Sequence, residues 1–311
     1  MKSIGIIPNS YESIIAANIV HKNTSFPIVI SLPREVVDYD TGILGSTDVF
    51  KRNLRGIELN YGILPIVRMN CGPNHVKKEL AETFKTLEAD TRAGFNAIHL
   101  EFSKYFLQKT IVQEKLIEAV KYCTRLNPFV ELIFGSPSTP INDYSKVESE
   151  ARNFTNLSEY SYHVLNTGSQ VLDEEQFGKI TYENLYRGYS RLKDFSLNLV
   201  EYNSDYTSDE DFVIKRDLVS RITIGAELAT ASNAILLEKD PGLLKFDSKV
   251  RKYVKDKVSL YSIDDPYQVC LLGLHYMSKD PYYQSVYSSI PQKDVVNMHI
   301  EIINKYVSKF K

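Results

Sequence analysis

The segment from Ser196 to Leu237, SLNLVEYNSDYTSDEDFVIKRDLVSRITIGAELATASNAILL, decides the fold of this chain. It holds two short apolar runs, Ser196 to Val200 and Arg221 to Gly225, separated by an amphipathic helical pattern from Asp209 to Val219. This spacing is typical of a β-α-β unit, in which one helix covers two parallel strands. Ligands of such units meet the carboxyl ends of the strands. The polar residues near those ends are Glu201, Asn203, Asp205, Tyr206, Glu227 and Thr230.

Strand and helix patterns alternate along most of the chain, in about eight repeats. Such alternation implies a parallel sheet with right-handed crossovers, and polar loops at even spacing suit a closed barrel. We therefore predict an α/β fold, a (β/α)8 TIM barrel over residues 1–245. Two helical patterns without strands follow, Tyr261 to Met277 and Asp294 to Phe310, so residues 246–311 are predicted to form a helical C-terminal extension packed on the barrel.

Composition fits one barrel and excludes several classes of protein. The chain has 311 residues, 43% hydrophobic and 24% charged, which is typical of a soluble globular protein. A net charge of −2 gives no general attraction to nucleic acid. No run of 18 apolar residues and no signal-peptide pattern occurs, so no membrane association is expected. Three scattered cysteines indicate a reducing compartment, and we predict a cytoplasmic location.

Four stretches resemble one known family in the same order along the chain. They are DYDTGILGSTDVF at 38–50, MNCGPN at 69–74, AGFNAIHLE at 93–101, and NSDYT at 203–207 with ITIGAELATASNAIL at 222–236. They are similar to segments of the non-catalytic subunits of D-tagatose-bisphosphate aldolase, also called tagatose-6-phosphate kinase-like subunits, which are relatives of the class II aldolase barrels. The resemblance implies a barrel with a helical extension that acts on a phosphorylated ketose.

The chain departs from the family where the resemblance implies the reacting groups. An Asp-His pair would serve as acid/base and metal ligand, with a further His in the later motif, but this chain has Met69-Asn70 and Asn203 there. Methionine cannot take a proton, and an amide is a poor Zn²⁺ ligand. A divalent metal such as Zn²⁺ or Mg²⁺ thus lacks its usual His ligands. Glu201 with Asn203 is the remaining possibility, and His75 is an alternative.

Four carboxylates are predicted to lie at the barrel mouth: Glu101, Glu201, Asp205 and Glu227. Two of them, such as Glu101 and Glu201, would serve as base and acid on opposite faces of a sugar, or bind a hard cation through oxygen. The alternative is structural. In that interpretation Glu201 and Glu227 pair with Arg68, Arg34 or lysines.

Polar side chains in three further stretches are candidate substrate contacts. The loops GSPSTP at 135–140 and NTGS at 166–169 are rich in Ser and Thr and precede predicted helices, so they either hold a phosphate or cap helices. In NCGPN, Asn74 either contacts substrate or shapes a turn. The predicted substrate-binding residues are Asn70, Asn74, Ser136, Ser138, Thr167, Ser169 and Asn203.

Two functional hypotheses follow from different classes. As an enzyme, the protein performs aldol cleavage, isomerisation or epimerisation on a phosphorylated ketose or related sugar. As a non-catalytic subunit, it keeps the barrel and stabilises an aldolase-like partner or forms a homo-oligomer. A sugar-biosynthetic enzyme with a rebuilt active site would explain the same departures.

Overall fold

The computed structural model describes residues 2–73, 80–102, 109–172, 174–178, 180–253 and 263–311. Its strands are β1 (Ser3–Ile6), β2 (Ile28–Leu32), β3 (Ile66–Cys71), β4 (Ala97–Leu100), β5 (Glu131–Pro140), β6 (Tyr162–Asn166), β7 (Ser169–Leu172), β8 (Glu175–Gly178), β9 (Asn198–Glu201) and β10 (Val219–Ile224). Eight of them form a closed parallel barrel in the order β1, β2, β3, β4, β5, β6, β9, β10. The prediction of a (β/α)8 barrel is confirmed. The other two, β7 and β8, form an antiparallel hairpin after β6.

The helices are α1 (Tyr11–Thr24), α2 (Thr47–Tyr61), α3 (Leu80–Arg92), α4 (Lys109–Leu126), α5 (Tyr144–Thr155), α6 (Tyr182–Lys193), α7 (Asp209–Leu218), α8 (Ala226–Lys239), α9 (Asp247–Tyr253), α10 (Pro266–Gly273), α11 (Pro281–Ser288) and α12 (Gln292–Phe310). The first eight follow the barrel strands in turn. In the described ranges, no helix has the length and apolarity needed to span a bilayer.

Side-chain alternation on the strands separates the barrel interior from the helix layer. On β3, Val67 and Met69 belong to a small apolar cluster with residues of β4, β5, β6 and β9 inside the barrel. Arg68 lies between them in sequence and therefore faces the helices. This alternation decides which of the polar residues near strand ends reach the mouth and which do not.

Two buried arginines hold the long connection between β2 and α2. Arg68 donates from Nη2 to Oδ1 of Asp90 on α3 at 2.8 Å, and from Nη1 to the carbonyl oxygens of Leu32 and Val37 at 2.9 and 2.6 Å. Arg34 donates from Nε to Asp38 at 3.1 Å and from Nη1 to the carbonyl of Gly72 at 3.0 Å. These bonds fix one wall of the barrel mouth.

The C-terminal helices pack on one side of the barrel. Helix α12 lies mainly against α1 and also contacts α7 and α8, and its buried face includes Ile303, Tyr306 and Phe310. The predicted helix at 261–277 is shorter: α10 begins at Pro266 after the capping residue Asp265, and a 3-10 turn from Leu274 to Met277 follows it. Residues 261 and 262 lie outside the described ranges, and a domain boundary at residue 245 stays a prediction.

Candidate functional site

A cleft of about 330 Å³ opens at the carboxyl ends of β1, β2, β3, β9 and β10. The C-terminal segment closes its outer side with Leu272, His275 and Tyr276. Its floor is apolar, with Ile7 and Met69 among the lining residues. Its polar lining is formed by Asn9, Glu35, Asn70, Asn203, Thr230 and His275. An apolar cleft with a few convergent polar groups at this end of a barrel is the usual form of a small-molecule site.

Asn70 and Asn203, which stand where the resemblance implies reacting groups, both line this cleft. Asn70 and Asn203 have φ angles of 46° and 60°, in the left-handed region that asparagine tolerates better than most residues. Oδ1 of Asn70 is buried and makes no hydrogen bond within the described ranges. An unsatisfied buried acceptor costs about 1–3 kcal/mol. The structure therefore places two predicted substrate-binding residues together, one with an acceptor ready for a ligand hydroxyl.

The barrel interior directly below Asn70 holds a polar cluster. Nδ1 of His99 accepts the backbone N–H of Asn70 at 3.3 Å and the hydroxyl of Tyr202 at 3.1 Å, and Nε2 donates to the carbonyl of Gly135 at 3.1 Å. These partners assign the neutral Nε2–H tautomer. Complete burial also lowers the pKa of His99 to about 4. His99 is therefore a neutral interior residue with partners on both ring nitrogens.

Glu101 joins this cluster at the end of β4. Its carboxylate accepts the hydroxyl of Ser136 on β5 at 2.9 Å, and its charge acts on both His99 and Tyr202. The ends of β3 and β4 approach closely here, because a Cβ at Gly72 would lie 1.7 Å from the carbonyl oxygen of Glu101. Only glycine fits at position 72. The structure thus brings two predicted site residues, Glu101 and Ser136, together in this buried cluster, and neither of them is among the residues that line the cleft.

Glu201 lies on the other face of the sheet. Its neighbours Val200 and Tyr202 belong to the interior cluster, so Glu201 faces the helices. Oε1 of Glu201 pairs with Lys215 of α7 at 2.8 Å and accepts the hydroxyl of Thr167 at 2.8 Å. Both charged side chains are at most 2% exposed. Glu201 and Thr167 therefore join β9, β6 and α7, as the structural alternative expected.

Asp205 caps helix α8. Its carboxylate accepts the N–H groups of Gly225 and Glu227 at 2.9 Å. Burial raises the pKa of Asp205 to about 6, and the helix N–H groups oppose this shift.

Asp205 makes the stability of the protein pH-dependent. Its folded pKa lies above the unfolded value, so the folded state binds the proton more tightly and stability falls as pH rises from about 4 to about 6. We expect the free energy of unfolding of the wild type to drop by about 2–3 kcal/mol more than that of Asp205→Asn between pH 4 and pH 7. Urea titrations at both pH values test this. Equal drops for the two proteins would contradict it.

Glu227 ties the barrel to the C-terminal helix. Its carboxylate pairs with Lys305 and accepts the hydroxyl of Tyr306 at 2.6 Å, and that hydroxyl accepts the N–H of Tyr206 at 2.8 Å. The structure thus pairs Glu201 and Glu227 with lysines, while Arg34 and Arg68, the other expected partners, pair with Asp38 and Asp90.

The two predicted phosphate loops have a different structure. Strand β5 runs to Pro140 with an irregular register after Gly135, so GSPSTP is a strand extension in which the N–H of Ser138 donates to Ser136 Oγ at 3.1 Å. NTGS leads into the hairpin, which begins at Ser169, and not into a helix. The prediction that GSPSTP is a loop is wrong, because pairing with β6 continues past Gly135, although helix α5 does follow it. The prediction that NTGS precedes a helix is wrong, because the β7–β8 hairpin follows it. Asn74 and His75 lie outside the described residues.

The donor set at the cleft does not fit the divalent metal that the resemblance implies. Amides of Asn70 and Asn203 occupy the positions at which the resemblance implies reacting groups. Within the described ranges no group of three or more His, Cys, Asp or Glu side chains is arranged to hold a metal ion. Glu201 and Asn203 do not form such a site, since Glu201 is buried against Lys215.

Sequence reasoning missed three residues of the site: Glu35, Tyr202 and His275. Tyr202 was recognisable by parity, because it lies two residues after the apolar Val200 and so shares its face. Glu35 and His275 gave no such signal. They belong to a long connection and to the C-terminal segment, which meet only in the folded chain.

Comparisons with known proteins support the barrel fold. No family model matches the sequence. No curated protein sequence matches it either. The fold is similar to a probable tagatose 6-phosphate kinase from Sinorhizobium meliloti 1021, with TM-score 0.69, 14% identity, and coverage of 96% of this chain and 86% of that chain.

Two further solved structures share the fold. A fructuronate-tagaturonate epimerase from Cohnella laeviribosi has TM-score 0.69 and 10% identity, covering 99% of this chain and 81% of that chain. A fructose-bisphosphate aldolase from Campylobacter jejuni has TM-score 0.61 and 13% identity, covering 99% and 89%. At these identities the likeness shows the (β/α)8 barrel fold alone.

Proposed function

We propose that the protein acts on a sugar or sugar phosphate at the barrel mouth by proton transfer next to a carbonyl group, as in aldol cleavage, isomerisation or epimerisation. The observation that carries this proposal is the position of Glu101. It lies buried at the end of β4, held by Ser136, and its charge acts on the neutral pair of His99 and Tyr202, of which His99 also contacts the backbone of the cleft residue Asn70. The names of the structural neighbours, two of which describe sugar aldolase or epimerase activity, support the substrate class.

The residues divide into proton transfer and binding. Glu101 takes the proton from the carbon or hydroxyl beside the substrate carbonyl. A carboxylate in such a site is an effective general base when substrate is held within hydrogen-bond reach. Oδ1 of Asn70 accepts a substrate hydroxyl, and the apolar floor with Met69 excludes water. Glu201, Asp205 and Glu227 hold the structure around this site.

Solvent hydrogen exchange tests this proposal without assuming one reaction. Each reaction in the class breaks a bond next to a carbonyl or forms an enediolate, so the enzyme should catalyse deuterium incorporation into its substrate in D2O. The wild type is incubated with tagatose 6-phosphate, fructose 1,6-bisphosphate, fructose 6-phosphate and fructuronate, and proton NMR follows the exchange. Exchange into at least one sugar is expected. If no sugar exchanges faster than its protein-free blank, the enzyme proposal is wrong.

The amides at positions 70 and 203 favour a second candidate. A member of the tagatose-bisphosphate aldolase non-catalytic subunits would no longer need the Asp-His pair, and its barrel would stabilise an aldolase-like partner. In that case the protein raises the melting temperature of an aldolase when the two are mixed and catalyses no exchange itself. If the melting temperature of the aldolase does not rise when the two proteins are mixed, this second candidate is contradicted.

A further inference from the structure

One edge of the buried Arg34 guanidinium group makes no hydrogen bond. The side chain is 2% exposed, and Nε and Nη1 are fixed by Asp38 and by the carbonyl of Gly72. Nη1 also lies 3.5 Å from the hydroxyl of Thr83. Nη2, in contrast, is buried and has no hydrogen-bond partner among the described residues. A buried charged donor without an acceptor is costly, so such a group points to a ligand that supplies one.

Arg34 lines a second cavity, of about 240 Å³, between the β2–α2 connection and the C-terminal segment. The opposite wall includes Ser278 and Lys279. Lys279 is exposed, and its ammonium group donates to the hydroxyl of Thr41. A buried guanidinium and an exposed ammonium therefore line one small space. This is the usual arrangement for binding an anionic group, in which the planar guanidinium of arginine orients the anion.

This second cavity adjoins the cleft at the barrel mouth. The two share the lining residues Glu35, Ile43 and Tyr276. A ligand with its carbon chain in the cleft would therefore reach Arg34 with a terminal substituent. Two carboxylates also line the second cavity, Asp38 and Glu35. Asp38 is neutralised by Arg34 and accepts the N–H of Tyr39 at 2.8 Å, and Glu35 lies on the shared wall, where sugar hydroxyls would meet it.

We propose that Arg34 and Lys279 form a subsite for the anionic end of the sugar, a phosphate ester or a carboxylate. This proposal rests on the proposed function and deepens it, because it makes an anionic terminus the feature by which the site selects its substrate. Neutral sugars of the same skeleton leave Nη2 of Arg34 unpaired and bind weakly.

The test compares three ligands with one skeleton: fructose 6-phosphate, fructuronate and fructose. They differ only in whether carbon 6 carries a phosphate ester, a carboxylate or a hydroxyl. Isothermal titration calorimetry should show that one of the two anionic sugars binds at least about 10-fold more tightly than fructose. The tighter of the two identifies the anion.

Substitutions assign this preference to residues. Arg34→Lys keeps a charge beside Asp38 but removes Nη2, and we expect about 10- to 100-fold weaker binding of the preferred anion. Lys279→Glu reverses an exposed charge at the same cavity without touching the core, so it should weaken the anion about 10-fold and leave fructose unchanged. Lys146→Gln on α5, another lysine with a solvent-exposed side chain (48%), is the matched control and should have no effect.

The proposal is overturned if the three sugars bind equally well, if none of them binds, or if the preference for the anion survives both Arg34→Lys and Lys279→Glu. Thermal unfolding of each variant checks its fold. If Arg34→Lys does not fold, the binding data of Lys279→Glu decide whether the subsite exists. The result is separate from the exchange assay. Anion preference without exchange supports this subsite and contradicts the enzyme proposal. Exchange without anion preference supports the enzyme proposal and contradicts this subsite.

Discussion

Replacing Glu101 with glutamine should lower the rate of solvent hydrogen exchange into the substrate by about 10²- to 10⁴-fold, the usual contribution of a general base. Glutamine keeps the shape of the side chain and a carbonyl oxygen that can accept the hydroxyl of Ser136, but it cannot take a proton. The substitution thus removes the chemistry and retains the geometry. Substrate affinity, measured by calorimetry, should change by much less than the rate.

The matched control for this experiment is Glu118→Gln. Glu118 lies on α4, the helix after the same strand, and its side chain is 54% exposed in a pair with Lys115. The Glu118→Gln variant should catalyse solvent hydrogen exchange into the substrate at the wild-type rate. If Glu101→Gln retains the wild-type rate while circular dichroism shows an intact fold, Glu101 is not the base. A loss of rate that follows a loss of fold would assign it a structural role instead.

The second large effect is on stability. Replacing Asp90 with alanine should lower the free energy of unfolding by about 3–5 kcal/mol, because it leaves the guanidinium of Arg68 buried without its counter-charge. Both side chains are 0% exposed, and Asp90 also accepts the hydroxyl of Thr47 at 3.1 Å. Urea denaturation followed by circular dichroism measures the change. The loss should be similar at low and high salt, because a buried pair is little screened.

Two controls bound this prediction. Glu183→Ala breaks an exposed pair with Arg187, whose side chains are 69% and 61% exposed, and should cost at most about 1 kcal/mol. Replacing Arg68 and Asp90 together by Met and Leu should recover much of the loss, since no charge is then left unpaired. If Asp90→Ala lowers the free energy of unfolding no more than Glu183→Ala does, the expected role of the Arg68–Asp90 pair is contradicted.

Two glutamates that have different roles in the folded chain look alike in the sequence. Glu101 and Glu201 both follow short apolar runs at the ends of barrel strands. In the folded chain Glu101 shares a cluster with His99 and Tyr202, while Glu201 is buried against Lys215. The difference arises from the parity of each residue on its strand, and from which helix residue lies opposite. Parity can be read from the sequence, but the partner on the helix cannot.

The sequence by itself determined the barrel and the end of it at which polar residues gather. Short apolar runs that alternate with amphipathic helices leave few ways to bury both faces of a sheet, so the local pattern is sufficient to predict the fold. It also selected Asn70 and Asn203 as candidates near strand ends, because carboxyl ends of parallel strands meet at one edge, and both line the cleft. These inferences use only periodicity and direction along the chain.

Only the tertiary structure decided what each charged group does. Asp205 caps a helix, Glu227 anchors α12, and Arg34 keeps an open donor, because each meets residues that are distant in sequence. Coulombic and hydrogen-bond energies depend on separations of a few ångströms and on burial, and neither is encoded in local periodicity. The cleft itself has the same origin, since Glu35 and His275 reach it from segments about 240 residues apart that only folding brings together.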